Sequence, residues 1–509
     1  MASIKKILED DSRPKVPLLD MAIWIMKGNK WDSRPTNQEI VNCFIDLYHL
    51  TEEEIATFFL IQNIEDTKIT FCKSPATWDE LNEFLPSPPD AAPDKEGTLS
   101  YLSLINVGPV DEMEMYFAPR LNIITGDNGL GKTFIMDCAW WALTGKWIDS
   151  AALPKERRKS HKSSIAYGIS GRSQRNKQTI INYDEKKKVW PRTDSTPTIP
   201  GLIVYARVDG SYAVWDPIKQ YDISPAPFSF SNEEVWYGKH EGKISCIDGL
   251  LSDWIKWQDA PQKYPFNVLE DVLEKMSPPD LGVLKAGVPI RDVVNSREVP
   301  TIIHPYGEIP ITNVSAGIKR IITLAYLIVW SWHEHKENAK ALGSEPNSRI
   351  VIMIDEIEAH LHPKWQRTII PALLSVQNIL QQSLEIEYII STHSPLVLAS
   401  TETVFNDTQD ILFHMELADN AHNVLLKPIP FFRHGTINSW LMSSIFNMRQ
   451  ARSQEAEHAI EEAKKLQESG TGSIFEVEKA HRDLLNTLSQ DDPFWPRWIY
   501  FAESRGLEV

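Results

Sequence analysis

Gly126-Asp127-Asn128-Gly129-Leu130-Gly131-Lys132-Thr133 fits the pattern G-x-x-x-x-G-K-[ST]. A short apolar run, Leu121 to Thr125, precedes it and reads as a buried strand. Thr133 to Leu143 reads as a helix. This strand–loop–helix context is what a phosphate cradle requires. Glycines let the backbone wrap around the phosphates, and N–H groups converge at a helix N-terminus. Asn128, Gly129 and Gly131 would line that cradle. Lys132 would reach the β- and γ-phosphates of a bound ATP, and Thr133 would bind Mg²⁺. At average residue frequencies a chain of this length matches by chance about 2% of the time.

The 509 residues leave room for two to four domains. The net charge of −17 argues against non-specific coating of nucleic acid, although a local basic face is compatible with it. Cys43, Cys72, Cys138 and Cys246 form no CxxC pair, which excludes a zinc ribbon pattern and fits a reducing, cytoplasmic setting. The N-terminus shows no apolar signal core, and no run of 18 apolar residues occurs, so no membrane partner is expected. Ile321 to Trp332 is too short to span a bilayer and fits a buried helix.

Residues 86–97 are rich in proline and acidic residues and read as a linker. Residues 1–85 read as a small helical docking domain, either winged-helix-like or a plain helical adaptor. Residues 98–145 carry the glycine-rich loop. Residues 146–310 read as an insertion, with basic stretches at 155–162 and 172–188. Those stretches fit either nucleic-acid contact or a solvated loop. Within the insertion, residues 202–208 and 211–215 flank Asp209-Gly210 as a β-hairpin, and residues 253–258 form an aromatic helix. Residues 311–415 hold the remaining motifs, and 416–509 read as a largely helical end.

Arg349 to Glu356 is an apolar run ending in Asp355-Glu356, as expected of a central parallel strand delivering carboxylates at its carboxyl edge. Asp355 would complete the Mg²⁺ shell, and Glu356 would act as general base on water. A further strand over 385–390 leads into Ser391-Thr392-His393. His393 reads either as a sensor of the γ-phosphate or as a capping histidine. Ser315 is a good N-cap and Gly317 allows close approach at the start of a long apolar helix. That helix start reads either as a capped buried helix or as an N-terminus aimed at a phosphate on another subunit.

Taken in order, the glycine-rich loop, Val314-Ser315-Ala316-Gly317, Asp355-Glu356 and His393 resemble the ABC-type ATPases of the SMC, Rad50 and RecF class. The stretches 355–363 and 391–400 resemble compact prokaryotic members found in anti-phage defence, among them the ATPases of Septu, retron-linked and PARIS systems and the OLD family. The resemblance implies an α/β P-loop head with helical additions. It implies two heads, or a higher homo-oligomer, sandwiching ATP, with Ser315 and Gly317 closing on the partner's nucleotide. It also implies a separately encoded effector such as a nuclease, toxin or retron component. Three features depart from the class: Ser-Ala-Gly replaces Ser-Gly-Gly-Gln, no long heptad segment is present, and the last 100 residues lack the acidic clusters of an OLD-type nuclease. The class's Q-loop glutamine has three candidates, Gln174, Gln178 and Gln220. His360 and His362 lack converging Cys or further His and read as a dimer-facing turn, not a metal site. The alternative function is a RecF-like DNA-repair ATPase acting at ends or gaps through the basic insertion.

Overall fold

The computed structural model describes residues 94–507, apart from 156–161, 172–177, 192–197, 220–227, 242–243, 279–281, 293–296, 305–306, 419–422, 450 and 471. The expected N-terminal docking domain lies outside these residues. An eight-stranded sheet organises the rest. The elements that build the head are, in chain order, β1 (Asp94–Val107), β2 (Val110–Tyr116), β3 (Leu121–Gly126), α1 (Lys132–Thr144), β4 (Ser164–Ser170), β5 (Gln178–Asn182), β6 (Thr198–Pro200), β7 (Leu202–Ala206), β8 (Tyr212–Trp215) and β9 (Ser229–Phe230). Next come α2 (Leu250–Asp259), α3 (Tyr264–Met276), α4 (Ala316–Ala341), β10 (Arg349–Ile354), α5 (Ile369–Leu380), β11 (Glu385–Thr392), α6 (Pro395–Thr401), β12 (Asp410–Leu417) and β13 (Val424–Ile429).

In the large sheet the order is β13-β12-β3-β11-β10-β7-β8-β9. Its five inner strands, from β12 to β7, run parallel, and the strands at both edges turn back antiparallel. β10 is buried from Ile350 to Ile354, as a strand covered on both faces must be. Alternation divides its side chains between two cores. Ile350, Ile352 and Ile354 join α2, α3, α4 and α5 on one face. Val351 and Met353 join α1 and the second sheet on the other.

That second sheet, β2-β1-β4-β5 with β6 added alongside β1, is antiparallel except for β6. It clamps α1 against the large sheet, with Trp140 fully buried between them. Fully burying side chains of this size stabilises the fold by roughly 2–3 kcal/mol each before entropy is counted. Residues 321–332 are all buried within α4, as expected of a core helix. No helix among the described residues is long and apolar enough to cross a membrane.

Two sequence readings need correction. The linker does not run to residue 97: β1 already begins at Asp94, pairs with Thr198 there, and buries Glu96, whose carboxylate accepts bonds from Ser348. The stretch 146–310 is woven into the head, since it supplies β4, β5 and β6 to one sheet and β7–β9 to the other. The hairpin over 202–215 is present as β7 and β8, but its first strand lies parallel beside β10. Downstream, α7 (Gln454–Ser469), α8 (Ile474–Thr487) and α9 (Trp495–Ser504) pack on a small core of their own around Ile460, Leu484 and Trp498.

Candidate functional site

The parallel strands end together. Thr392 is in register with Thr125, and Ile354 with both Ile390 and Ala206. The loops leaving β3, β7, β10 and β11 therefore meet at one carboxyl edge, where open parallel sheets bind ligands. Out of β3 comes the glycine-rich loop. Gly129 and Gly131 sit at φ 83° and 96°, a region that a Cβ disfavours. Asn128 is exposed on the loop. Lys132 opens α1 with its Nζ folded back, donating to the carbonyls of Gly126 (2.8 Å) and Asp127 (3.0 Å). Burial lowers the Lys132 pKa, and Glu356, Glu358, Asp355 and Asp127 oppose that shift.

Thr133 Oγ1 donates to Asp355 Oδ2 at 2.6 Å. The other Asp355 oxygen accepts from Ser391 Oγ at 2.5 Å, and Ser391 Oγ in turn accepts the Glu356 N–H at 2.8 Å. One serine thus fixes both acidic residues. Glu356 is half-buried and bends out of the strand at φ 45°. A threonine hydroxyl beside one carboxylate suits Mg²⁺, which takes most of its remaining ligands from phosphates and water. No cluster of three His, Cys, Asp or Glu suited to a metal occurs among the described residues.

His393 follows β11. Its Nδ1 lies 2.8 Å from Glu358 Oε1 and 4.0 Å from Glu356 Oε1. The nearer contact is short but off-line for a straight hydrogen bond. Glu358 also accepts the His393 backbone N–H (2.6 Å) and the Thr392 hydroxyl (2.7 Å). The interaction with Glu358 raises the His393 pKa against the effect of burial, while Lys132 opposes it. Burial alone would push the Glu358 carboxyl up, but the bonds from His393 and Thr392 outweigh it and hold the pKa below its usual value. Sequence reasoning passed over Glu358 because it looked like one more acid in an acidic turn. The hydroxyls of Ser391 and Thr392, at a strand end beside His393, were the available signal.

Ser315 caps α4, its Oγ accepting from Ile318 N at 3.5 Å, and is exposed. Gly317 packs against the turn after β10. Three residues on, Arg320 is buried and reaches the carbonyls of Arg207 (2.9 Å) and Asp355 (3.3 Å). Arg207, just past β7, also went unflagged in the sequence. It lies 2.6 Å from Asp149 and 3.8 Å from Asp137, whose carboxyl burial pushes up to about 6 despite that neighbour. Of the glutamine candidates, Gln178 opens β5 in the other sheet, while Gln174 and Gln220 lie outside the described residues. His362 Nδ1 caps the short helix after it, and His360 is exposed. Within the basic stretches, 156–161 and 172–177 are outside the described residues.

The AAA ATPase domain family model matches residues 243–398, which contain Ser315, Gly317, Asp355, Glu356 and His393. The Septu protein PtuA of Bacillus thuringiensis is 22% identical over 396 residues, covering 74% of this chain and 91% of that protein. A retron Vc95 probable ATPase of Vibrio cholerae serotype O1 biovar El Tor is 37% identical over 105 residues, 20% of this chain and 18% of the relative. The chain thus spans less than a fifth of that retron protein. Among solved structures, the SMC head domain from Thermotoga maritima is 13% identical with a TM-score of 0.35, over 65% of this chain and 99% of that one. Residues 243–398 thus match the AAA ATPase domain family, and with the glycine-rich loop upstream the chain is a P-loop ATPase.

Proposed function

We propose that this ATPase hydrolyses ATP at a site completed by a second copy of the chain, and that the nucleotide cycle controls a cytoplasmic prokaryotic defence complex with a separately encoded effector. The observation that carries the reading is the 2.6 Å bond between Thr133 and Asp355, with Glu356 beside them. It brings the phosphate loop and the acidic pair to one point. In this reading Lys132 leaves the Gly126 and Asp127 carbonyls to neutralise the β- and γ-phosphates. Thr133 and Asp355 would hold Mg²⁺, which when bound would supply charge neutralisation at the phosphates. Glu356 takes the proton of the attacking water, and His393 donates to the γ-phosphate. The exposed Ser315 end of α4 supports a shared site, because a helix N-terminus favours the negative charge of a partner's nucleotide.

The defence assignment draws on the Septu and retron ATPase names of the relatives. The DNA-repair alternative depends on the basic segments, of which 156–161 and 172–177 lie outside the described residues. The test is co-expression with the product of the neighbouring gene, followed by mass measurement and phosphate release. A stable complex whose effector activity follows the nucleotide state supports the reading. A lone chain whose ATP turnover responds to DNA ends or gaps, and to no neighbouring protein, overturns it.

A further inference from the structure

Glu358 has no role in the hydrolysis outlined above, yet it is 6% exposed in the middle of the site. A buried carboxylate is costly unless its lone pairs are occupied. Here one oxygen accepts from Thr392 Oγ1, and the other from the His393 backbone N–H, with the His393 ring nitrogen Nδ1 at 2.8 Å from it. The backbone bond anchors the carboxylate to the same residue whose ring it faces. A histidine nitrogen held against a carboxylate keeps its proton, and while the ring stays charged the opposite nitrogen also carries a proton to donate.

We propose that Glu358 is a positioning residue: its carboxylate, 2.8 Å from His393 Nδ1, holds the ring as an imidazolium, so that Nε2 also carries a proton to donate to the γ-phosphate of bound ATP. The proposal rests on the assignment of His393 to the γ-phosphate made above. The charged groups around the ring are Glu358 and Glu356 from the turn after β10, and Lys132 from α1. Ser394, next along the chain, donates its hydroxyl to Gln366 and adds no charge. Of the three charged groups, only Glu358 is in contact distance of the ring. Its anionic form holds His393 protonated to higher pH, in keeping with the raised His393 pKa. Neutralising it lets the ring lose its charge, and with it the assured Nε2–H, at lower pH.

The decisive variants are Glu358→Gln, His393→Asn and the double variant, in the full chain with any partner it copurifies with. Glu358→Gln keeps one oxygen to accept from the His393 backbone N–H, and its amide NH2 can donate to the Thr392 hydroxyl. Its ATP affinity should remain within about threefold of the parent while kcat falls at least tenfold, the range of one general-acid or hydrogen-bond contribution. The alkaline limb of its kcat profile should move to lower pH, and the double variant should be no slower than His393→Asn alone. A Glu358→Gln enzyme with the parental kcat and pH profile overturns the proposal. If His393→Asn itself turns over at the parental rate, the sensor assignment fails first, which separates the two failures. Nitrogen-15 resonances of the His393 ring in the parental protein give a readout independent of any variant: both ring nitrogens should be protonated at the pH of maximal turnover. A neutral ring at that pH overturns the proposal equally.

Discussion

A Cβ placed on Gly317 would stand 2.6 Å from the carbonyl oxygen of His360. The start of α4 therefore presses on the turn that leaves β10, and that turn carries Glu356 and Glu358. His360 itself holds φ at 63°, so the carbonyl has little freedom to retreat. Arg320, one turn further along α4, ties the same helix to the Asp355 and Arg207 carbonyls. The element expected to meet a partner's nucleotide is thus joined to this chain's own acidic pair.

Gly317→Ala should consequently damage the chain's own site. The added methyl must push the 355–362 turn outward, and misplacement of a catalytic group by about 1 Å can cost 100-fold in rate. The expected result is a kcat lowered 10- to 100-fold with ATP binding at the glycine-rich loop retained. Single-turnover hydrolysis with a fluorescent nucleotide checks it, and a parental kcat in the folded variant contradicts it.

Lys132→Ala and Glu356→Gln should separate binding from turnover. Lys132 is buried where the phosphates would lie, so its loss should abolish measurable ATP binding. Glu356→Gln retains the bond from its own N–H to Ser391 and should bind ATP normally, with phosphate release reduced at least 100-fold. Hydrolysis at the parental rate by Glu356→Gln would remove the general-base assignment.

Stability should depend on pH through Asp253, which lies on α2 away from the nucleotide. Burial pushes its carboxyl from 3.8 up to about 6, although Tyr326 donates a 2.6 Å bond to it. A carboxyl with a raised folded pKa binds its proton more tightly in the native state. The protein should then gain stability as pH falls through 6 and level off below 3.8. A shift of this size corresponds to at most about 3 kcal/mol above pH 6. Asp253→Asn keeps an acceptor for Tyr326, so it should stabilise the fold in urea titrations at pH 8 and have little effect at pH 4. Equal effects at both pH values would contradict the assigned cause.

Much of this architecture was legible because its signals are local. The strand into Gly126, the apolar run into Asp355 and the helix after Ser315 each declare themselves within a dozen residues. What stayed hidden depends on distant pairing. Nothing near Leu202 says that β7 will lie beside β10, because a parallel partner almost 150 residues away leaves no local trace. Glu96 looked like part of an acidic linker, and its bonds to Ser348, distant in sequence, accompany its burial. Glu358 and Ser391 were missed for the same reason: each matters through a contact over thirty residues away in sequence.

The central claim, that two chains build each ATP site, is tested most directly by mixing two inactive variants. Lys132→Ala removes the phosphate-binding side of a shared site, and Ser315→Arg blocks the helix N-terminus offered by the partner. Each should be inactive alone. After subunit exchange, random pairing makes about half of the dimers mixed, each with one doubly damaged and one intact site, so about a quarter of the original sites are intact. The account predicts that phosphate release recovers toward that quarter, or to less if the two sites act only together. No recovery, with exchange demonstrated by mass measurement and a single intact site shown to turn over in a linked dimer, would contradict it.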